Sequence, residues 1–236
     1  MQAEFHSDNL SQANLFSPVW LVIYEKLFND IIHFILPPGT LLKETNLAKQ
    51  FNTSRTPVKT VLEKLLEDGL LKKEGRAYAV TNVSSEDCFL LLEARLALEP
   101  QAAVLAAKRI TTAQLEEMAK LLAAMKKMEE TGDTTAFPAV DHQFHKIVID
   151  AAGNHVISEL YQHISPKILR YRFCNADLGQ KLGRPVTKNL YATHLAIYQA
   201  LKNRFSETAA QELASDIRAM QMVANLFDLY GQSRQA

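Results

Sequence analysis

Thr53-Ser54-Arg55-Thr56-Pro57-Val58-Lys59 sets hydroxyls, a guanidinium and an ammonium on the first turn of a helix. Downstream, Val58, Val61, Leu62, Leu65 and Leu66 recur as one apolar stripe to about Asp68, while Arg55, Thr56 and Lys59 fall outside it. One face of this helix is therefore for packing, and its polar start is free to touch something else. Upstream, Glu44 to Phe51 reads as a short helix with Leu47, Ala48 and Phe51 on one side, joined across the tight break Asn52-Thr53. Before that, Ser17 as N-cap and Pro18 at the first helical position start a helix to Leu36, carrying Val19, Val22, Ile23, Leu27, Ile31 and Phe34 at helical spacing and stopped by Pro37-Pro38-Gly39. Downstream, Gly69 sits just past the helix end, and Leu70-Leu71, the break Lys72 to Arg76 and Tyr78-Ala79-Val80 read as a small hairpin. Three helices and a hairpin over residues 17–83 make a winged helix-turn-helix.

The rest of the composition fits a mainly α chain. Of 236 residues, 47% are hydrophobic, and Gly and Pro number only 8 each, sparse after residue 40. The 26 basic and 26 acidic residues cancel, which leaves a nucleic-acid partner to be judged from local charge. Between Lys43 and Arg76 there are eight Lys/Arg against five Asp/Glu, and Glu63, Glu67 and Asp68 stand away from the helix start, so basic charge is placed rather than abundant. Ser54, Thr56 and the free N–H groups of the first turn can hold a phosphate, and the Arg55 fork matches the O6/N7 edge of guanine. Residues 1–16 read as a polar arm and 231–236 as a tail. Cys88 and Cys174 lie far apart in a chain with no apolar N-terminal signal and no membrane-length run, which predicts a reduced, cytoplasmic protein with no membrane partner.

From Ser84, capped with Asp87, the pattern changes to long helices over about 84–108, 111–131, 134–152, 154–175, 185–203 and 206–230, with one break placed at Gly179 to Gly183. Six helices predict an all-α antiparallel bundle for residues 84–230. Its informative residues are polar ones on apolar stripes. Asp141 and His145 share a face with Phe144 and Val148; His194 lies with Leu190, Ile197 and Leu201; Asp216 lies with Leu213, Ile217 and Met220. Any one of the four reads as a hydrogen-bonded core residue. Together, two carboxylates and two imidazoles on three helices suit a divalent transition metal, and are too rich in nitrogen for Mg²⁺ or Ca²⁺. Arg95, on the stripe with Leu91, Leu92, Leu98 and Glu99, fits either an effector carboxylate or an internal ion pair with Glu99 or Asp141.

Pro38-Gly39-Thr40-Leu41, Leu47-Ala48, Ser54-Arg55-Thr56-Pro57-Val58-Lys59, Leu65, Glu67, Gly69-Leu70 and Gly75-Arg76 closely resemble the DNA-binding domain of GntR-family bacterial transcription regulators. In such proteins the Ser-Arg-Thr-Pro turn starts the recognition helix, its Arg enters the major groove and the wing glycine approaches DNA. The resemblance thus implies a DNA-contacting set of Ser54, Arg55, Thr56, Pro57 and Lys59, with Thr45 before them and Gly75 and Arg76 on the wing. Lys59 stands where the family usually has Arg, keeping a phosphate contact without the bidentate fork, and Ala77 stands where a wing glycine is common. Residues 84–230 resemble the FCD ligand-binding domain of the FadR-type branch, through Arg95-x-x-Leu98-Glu99, Asp141-x-x-x-His145, Gly153-Asn154 and His194, and six helices are similar to its VanR-type subset.

This second resemblance implies a metal (Zn, Ni or Mn) on Asp141, His145, His194 and Asp216, the last replacing a usual His. It also implies a small organic acid effector and a homodimer on a palindromic operator, acting as a repressor. By position, Arg95 is a candidate to hold the acid, and Arg172, which with Arg170 follows Ile168-Leu169, either lines the same cavity or faces water. The alternative from another class is a metal-dependent hydrolase with an attached DNA-binding domain, although no His-Glu-x-x-His segment is present.

Overall fold

A computed structural model of the chain describes residues 17–181 and 189–220. The expected arm at 1–16 and tail at 231–236 lie outside them, as do the start of the helix expected at 185 and the end of that expected at 230. The chain divides into two compact units between Asn82 and Val83.

In the first unit, α1 (Val19–Ile32), α2 (Glu44–Gln50) and α3 (Arg55–Glu67) surround a core of Ile23, Leu27, Ile31, Leu47, Val58, Val61, Leu62 and Leu65. Pro18 rather than Ser17 holds the N-cap of α1. The helix also stops four residues short of Leu36, because buried Phe34 takes φ +59 and Leu36 N bonds back to Asp30 O. The stop is thus made by the backbone before the prolines are reached. Asn52 at φ +47 turns the chain between α2 and α3, and Gly69 at φ +70 follows α3. Strand β1 (Leu41–Leu42), too short to read from the sequence, joins β2 (Leu71–Glu74) and β3 (Ala77–Val80) in an antiparallel sheet of order β1-β3-β2. The β2–β3 turn uses Gly75 at φ +59, a conformation that a side chain with Cβ resists.

The second unit holds, among the described residues, α4 (Ser85–Arg109), α5 (Thr112–Thr131), α6 (Phe137–Ala151), α7 (His155–Lys181), α8 (Leu190–Lys202) and α9 (Ser206–Ala219). Ser84 Oγ accepts from Asp87 N, the expected cap, and Thr111 with Gln114 makes a reciprocal capping box on α5. Helix α7 continues through Gly179 to Lys181, so the break does not begin at Gly179. One half-buried glycine near a helix end costs only about 1 kcal/mol, too little to stop a helix packed along its length. Helix α4 is central, packing on α6, α7, α8 and α9. Its Ala102, Ala103, Ala106 and Ala107 are fully buried, and such small side chains let neighbouring helices come close. That closeness brings α6, α8 and α9 together around one polar point. Cys88 and Cys174 are both buried, and neither forms a disulfide among the described residues. No described helix is long and apolar enough to cross a membrane.

Candidate metal centre and nucleic-acid interface

Helix α6 supplies Asp141 and His145 one turn apart, α8 supplies His194 and α9 supplies Asp216. One donor atom from each lies within 4.8 Å of all the others. His194 Nε2 is 2.7 Å from Asp141 Oδ1, and His145 Nε2 is 3.1 Å from Asp216 Oδ2 and 3.4 Å from Asp141 Oδ1. Asp141, His145 and His194 are buried and Asp216 is half-buried.

The far nitrogens of the two rings decide what the near ones can be. His145 Nδ1 is 2.5 Å from Glu99 Oε2, and His194 Nδ1 is 2.8 Å from Leu190 O. Burial works against a charged Glu99, but Arg95 and His145 beside it hold its carboxyl well below the ordinary range, so it accepts only. A backbone carbonyl also only accepts. Each Nδ1 therefore carries a proton, and each Nε2 of a neutral ring turns a lone pair toward the carboxylates. With both rings neutral, four acceptors face one another, an arrangement that a cation among them would satisfy. A second proton on His194 is disfavoured, since burial pushes this ring down to about 4. His145 goes the other way: burial opposes its charge, but Glu99 and Asp216 raise it above 6.5. Its Nε2 stands 3.1 Å from Asp216 Oδ2, the carboxylate that favours its charge. Asp216, despite burial, is held far below the carboxylate range by the two histidines. Two carboxylate oxygens and two imidazole nitrogens, each ring fixed from behind, match a divalent transition metal.

The two arginines singled out in the sequence stand against this cluster. Arg95 Nε donates to Glu99 Oε1 at 2.6 Å, so the internal ion pair forms, and the same side chain borders a cavity of about 260 Å³. Arg172 pairs through Nη1 with Asp141 Oδ2, while its buried Nε and Nη2 have no hydrogen-bond partner among the described residues. Burial, with Arg95 nearby, pushes the Arg172 guanidinium down to about 9. Asp141, His194 and Asp216 border the same cavity. Glu99 has a second role behind His145 that helical spacing does not reveal. Its helical spacing to Arg95 was visible, but its approach to a helix 46 residues away was not. His142 faces away, near Ser165 and Tyr161, as its periodicity indicates.

In the first unit, Ser54 is the N-cap of α3 in extended conformation and spends no side-chain bond on the cap. Arg55, Thr56 and Lys59 are exposed beside half-buried Pro57. Thr45, Arg55 and Arg76 border one groove together with Lys43 and Glu44, whereas Ser54, Thr56, Lys59 and Gly75 do not. The Arg55 guanidinium is not free: its Nη2 donates to Glu44 Oε2 at 2.8 Å. Lys59 Nζ lies 3.6 Å from Glu63 Oε1.

The family model described as "Bacterial regulatory proteins, gntR family" matches residues 21–78, and the "FCD domain" model matches residues 90–219. Over 199 residues the chain is 26% identical to the HTH-type transcriptional regulator YdhC of Bacillus subtilis (strain 168), covering 84% of this chain and 87% of that one. It is 27% identical over 209 residues to the HTH-type transcriptional repressor RspR of Escherichia coli (strain K12), covering 88% and 90%. Among solved structures, E. coli McbR/YncC has the same fold, with a TM-score of 0.73 at 22% identity over 91% of this chain and 100% of that one.

Proposed function

The chain belongs to the GntR family of bacterial regulatory proteins, with an FCD domain behind its DNA-binding domain, and on that premise we propose that it is a metal-containing repressor released from DNA by a small carboxylate. The observation that carries the effector half is a cavity bordered by Asp141, His194 and Asp216, three of the four converging residues, and by the buried Arg172 guanidinium, two of whose nitrogens have no hydrogen-bond partner among the described residues. Asp141, His145, His194 and Asp216 would hold a divalent ion, Zn, Ni or Mn. When bound, the ion supplies a Lewis acid that anchors an anionic oxygen. Arg172 offers donors to the same anion, and Arg95 both borders the cavity and steadies Glu99 behind His145.

Residues 17–83 are the reading head, with Ser54, Arg55, Thr56, Pro57, Lys59, Thr45, Gly75 and Arg76 as its contacts, and residues 84–230 hold the effector. The working form is a cytoplasmic homodimer on a palindromic operator, since two-fold symmetry in protein implies it in DNA. Leu90 on α4 and Val156 and Leu160 on α7 are large apolar side chains left exposed on the second unit, as a pairing surface requires. Regulation follows if the effector binds one dimer geometry more tightly than another; tight binding to both would shift nothing. Repression accords with the description of RspR as a repressor. The hydrolase alternative gains no support from these comparisons, which find transcription regulators.

A mobility-shift assay on DNA flanking the gene, with metal-loaded protein and a panel of small organic acids, tests the proposal. Release by one acid, lost on chelation, supports it. Binding that no acid changes, or metal-dependent turnover of an ester or amide panel, would count against it.

A further inference from the structure

We propose that Glu44 is the positioning residue of the DNA-reading head: it aims Arg55 at its base and, by its charge, weakens binding to DNA that offers no matching base. The inference rests on the DNA-binding reading above and deepens it. Arg55 is the first residue of α3 and Glu44 the first of α2, so two short helices bring them together across 11 positions. The contact is asymmetric. The Glu44 side chain is 22% exposed and the Arg55 side chain 67%, so the acid is sheltered and the guanidinium stands out on the groove it shares with Lys43, Thr45 and Arg76.

An exposed arginine samples many rotamers, and fixing it on a base costs that freedom. Glu44 engages Nη2 alone, through Oε2. Nε, Nη1 and the second hydrogen of Nη2 remain for a partner, enough for the paired donation that reads guanine O6 and N7. Glu44 also lies in the first turn of α2, where the positive end of the helix dipole favours a carboxylate. Against phosphates the same negative charge is unfavourable. The two effects have opposite signs on different DNA, which separates this role from a purely structural one.

The test selects from a randomised duplex library with the full-length parent, Glu44→Gln, Arg55→Ala and the double variant, and measures affinity for one arbitrary duplex at fixed salt. Glu44→Gln should fold as the parent does, lose about tenfold in discrimination at a guanine position, and bind the arbitrary duplex about two- to threefold more tightly. In the Arg55→Ala background, Glu44→Gln should change the arbitrary-duplex affinity alone. Glu44→Asp, which keeps the charge at shorter reach, should retain the weak arbitrary binding and recover part of the discrimination. The proposal is overturned by a Glu44→Gln variant that selects as the parent does, or by one that binds every duplex more weakly. It is also overturned if that variant loses a cytosine preference while guanine is kept, since Glu44 would then be reading a base itself. A parent that selects no sequence overturns the DNA-reading assignment itself, and with it this proposal.

Discussion

Glu99 stands between Arg95 and His145, with Oε1 2.6 Å from the Arg95 Nε and Oε2 2.5 Å from the His145 Nδ1. All three side chains are buried, so a charge removed from the row leaves its neighbours without compensation. Through this row the orientation of one ring in the four-residue cluster depends on a carboxylate that is not a member of the cluster.

Glu99→Gln should therefore weaken metal binding although every proposed ligand is retained. Loss of such an orienting partner typically costs about 10–100-fold in affinity. Competition against a colorimetric chelator measures it; an affinity equal to the parent's would remove Glu99 from the account.

Metal affinity should rise with pH. In the metal-free chain Glu99 and Asp216 raise His145 above 6.5, so a proton competes for Nε2, whereas His194, near 4, is already neutral at pH 7. The same shift sets the sign for the metal-free fold. Stability from protonated His145 is fully present below the unfolded value and is lost as pH rises through the raised folded one. Titration calorimetry in buffers of different ionisation enthalpy should show proton release on binding around neutral pH. Uptake, or no exchange, would contradict this assignment.

His145→Ala, or chelation of the parent, should blunt the response to an organic acid more than it weakens binding to the operator. Metal at about 100 times its Kd should also stabilise the parent by about 2.7 kcal/mol, and should not stabilise the variant. Equal effector response in variant and parent would rule out an effector held by the metal.

Arg55→Ala should abolish sequence preference and leave the fold intact, because the side chain is exposed and packs in no core. The expected loss is about 1–3 kcal/mol of discrimination. Footprinting on the selected operator, beside a thermal melt, reads both; an unchanged footprint would falsify the assignment.

Gly75→Asn separates two reasons for a wing glycine. The turn needs φ +59, which Asn adopts more readily than other side chains, and an added Cβ meets nothing within 4 Å. Stability should fall by no more than about 1 kcal/mol, while operator binding should weaken if DNA approaches this backbone. Parent-like binding would leave the turn as the only reason for glycine.

The elements of the fold differ in how legible they are. The start of α3 at Arg55 and the cap of α4 at Ser84 could be read because both are written in neighbouring residues. The end of α1 was misplaced because Phe34, which lacks the usual marks of a terminator, adopts a left-handed conformation there. Strand β1 was missed because two residues carry no period; it exists through pairing with Ala79 and Tyr78. Asp141, His145, His194 and Asp216 were legible as polar residues on apolar faces, and the structure gathers them within one small sphere.

By itself the sequence determined which faces are apolar, where most helices begin, and which polar residues must turn inward, since each depends on residues within a turn or two. The tertiary structure alone decided the partners: Glu44 for Arg55, Glu99 for His145 and Asp141 for Arg172. A helical period gives the direction of a side chain from its own axis, but the charge it meets is set by how separate helices pack, and packing of that kind leaves no local mark in the chain.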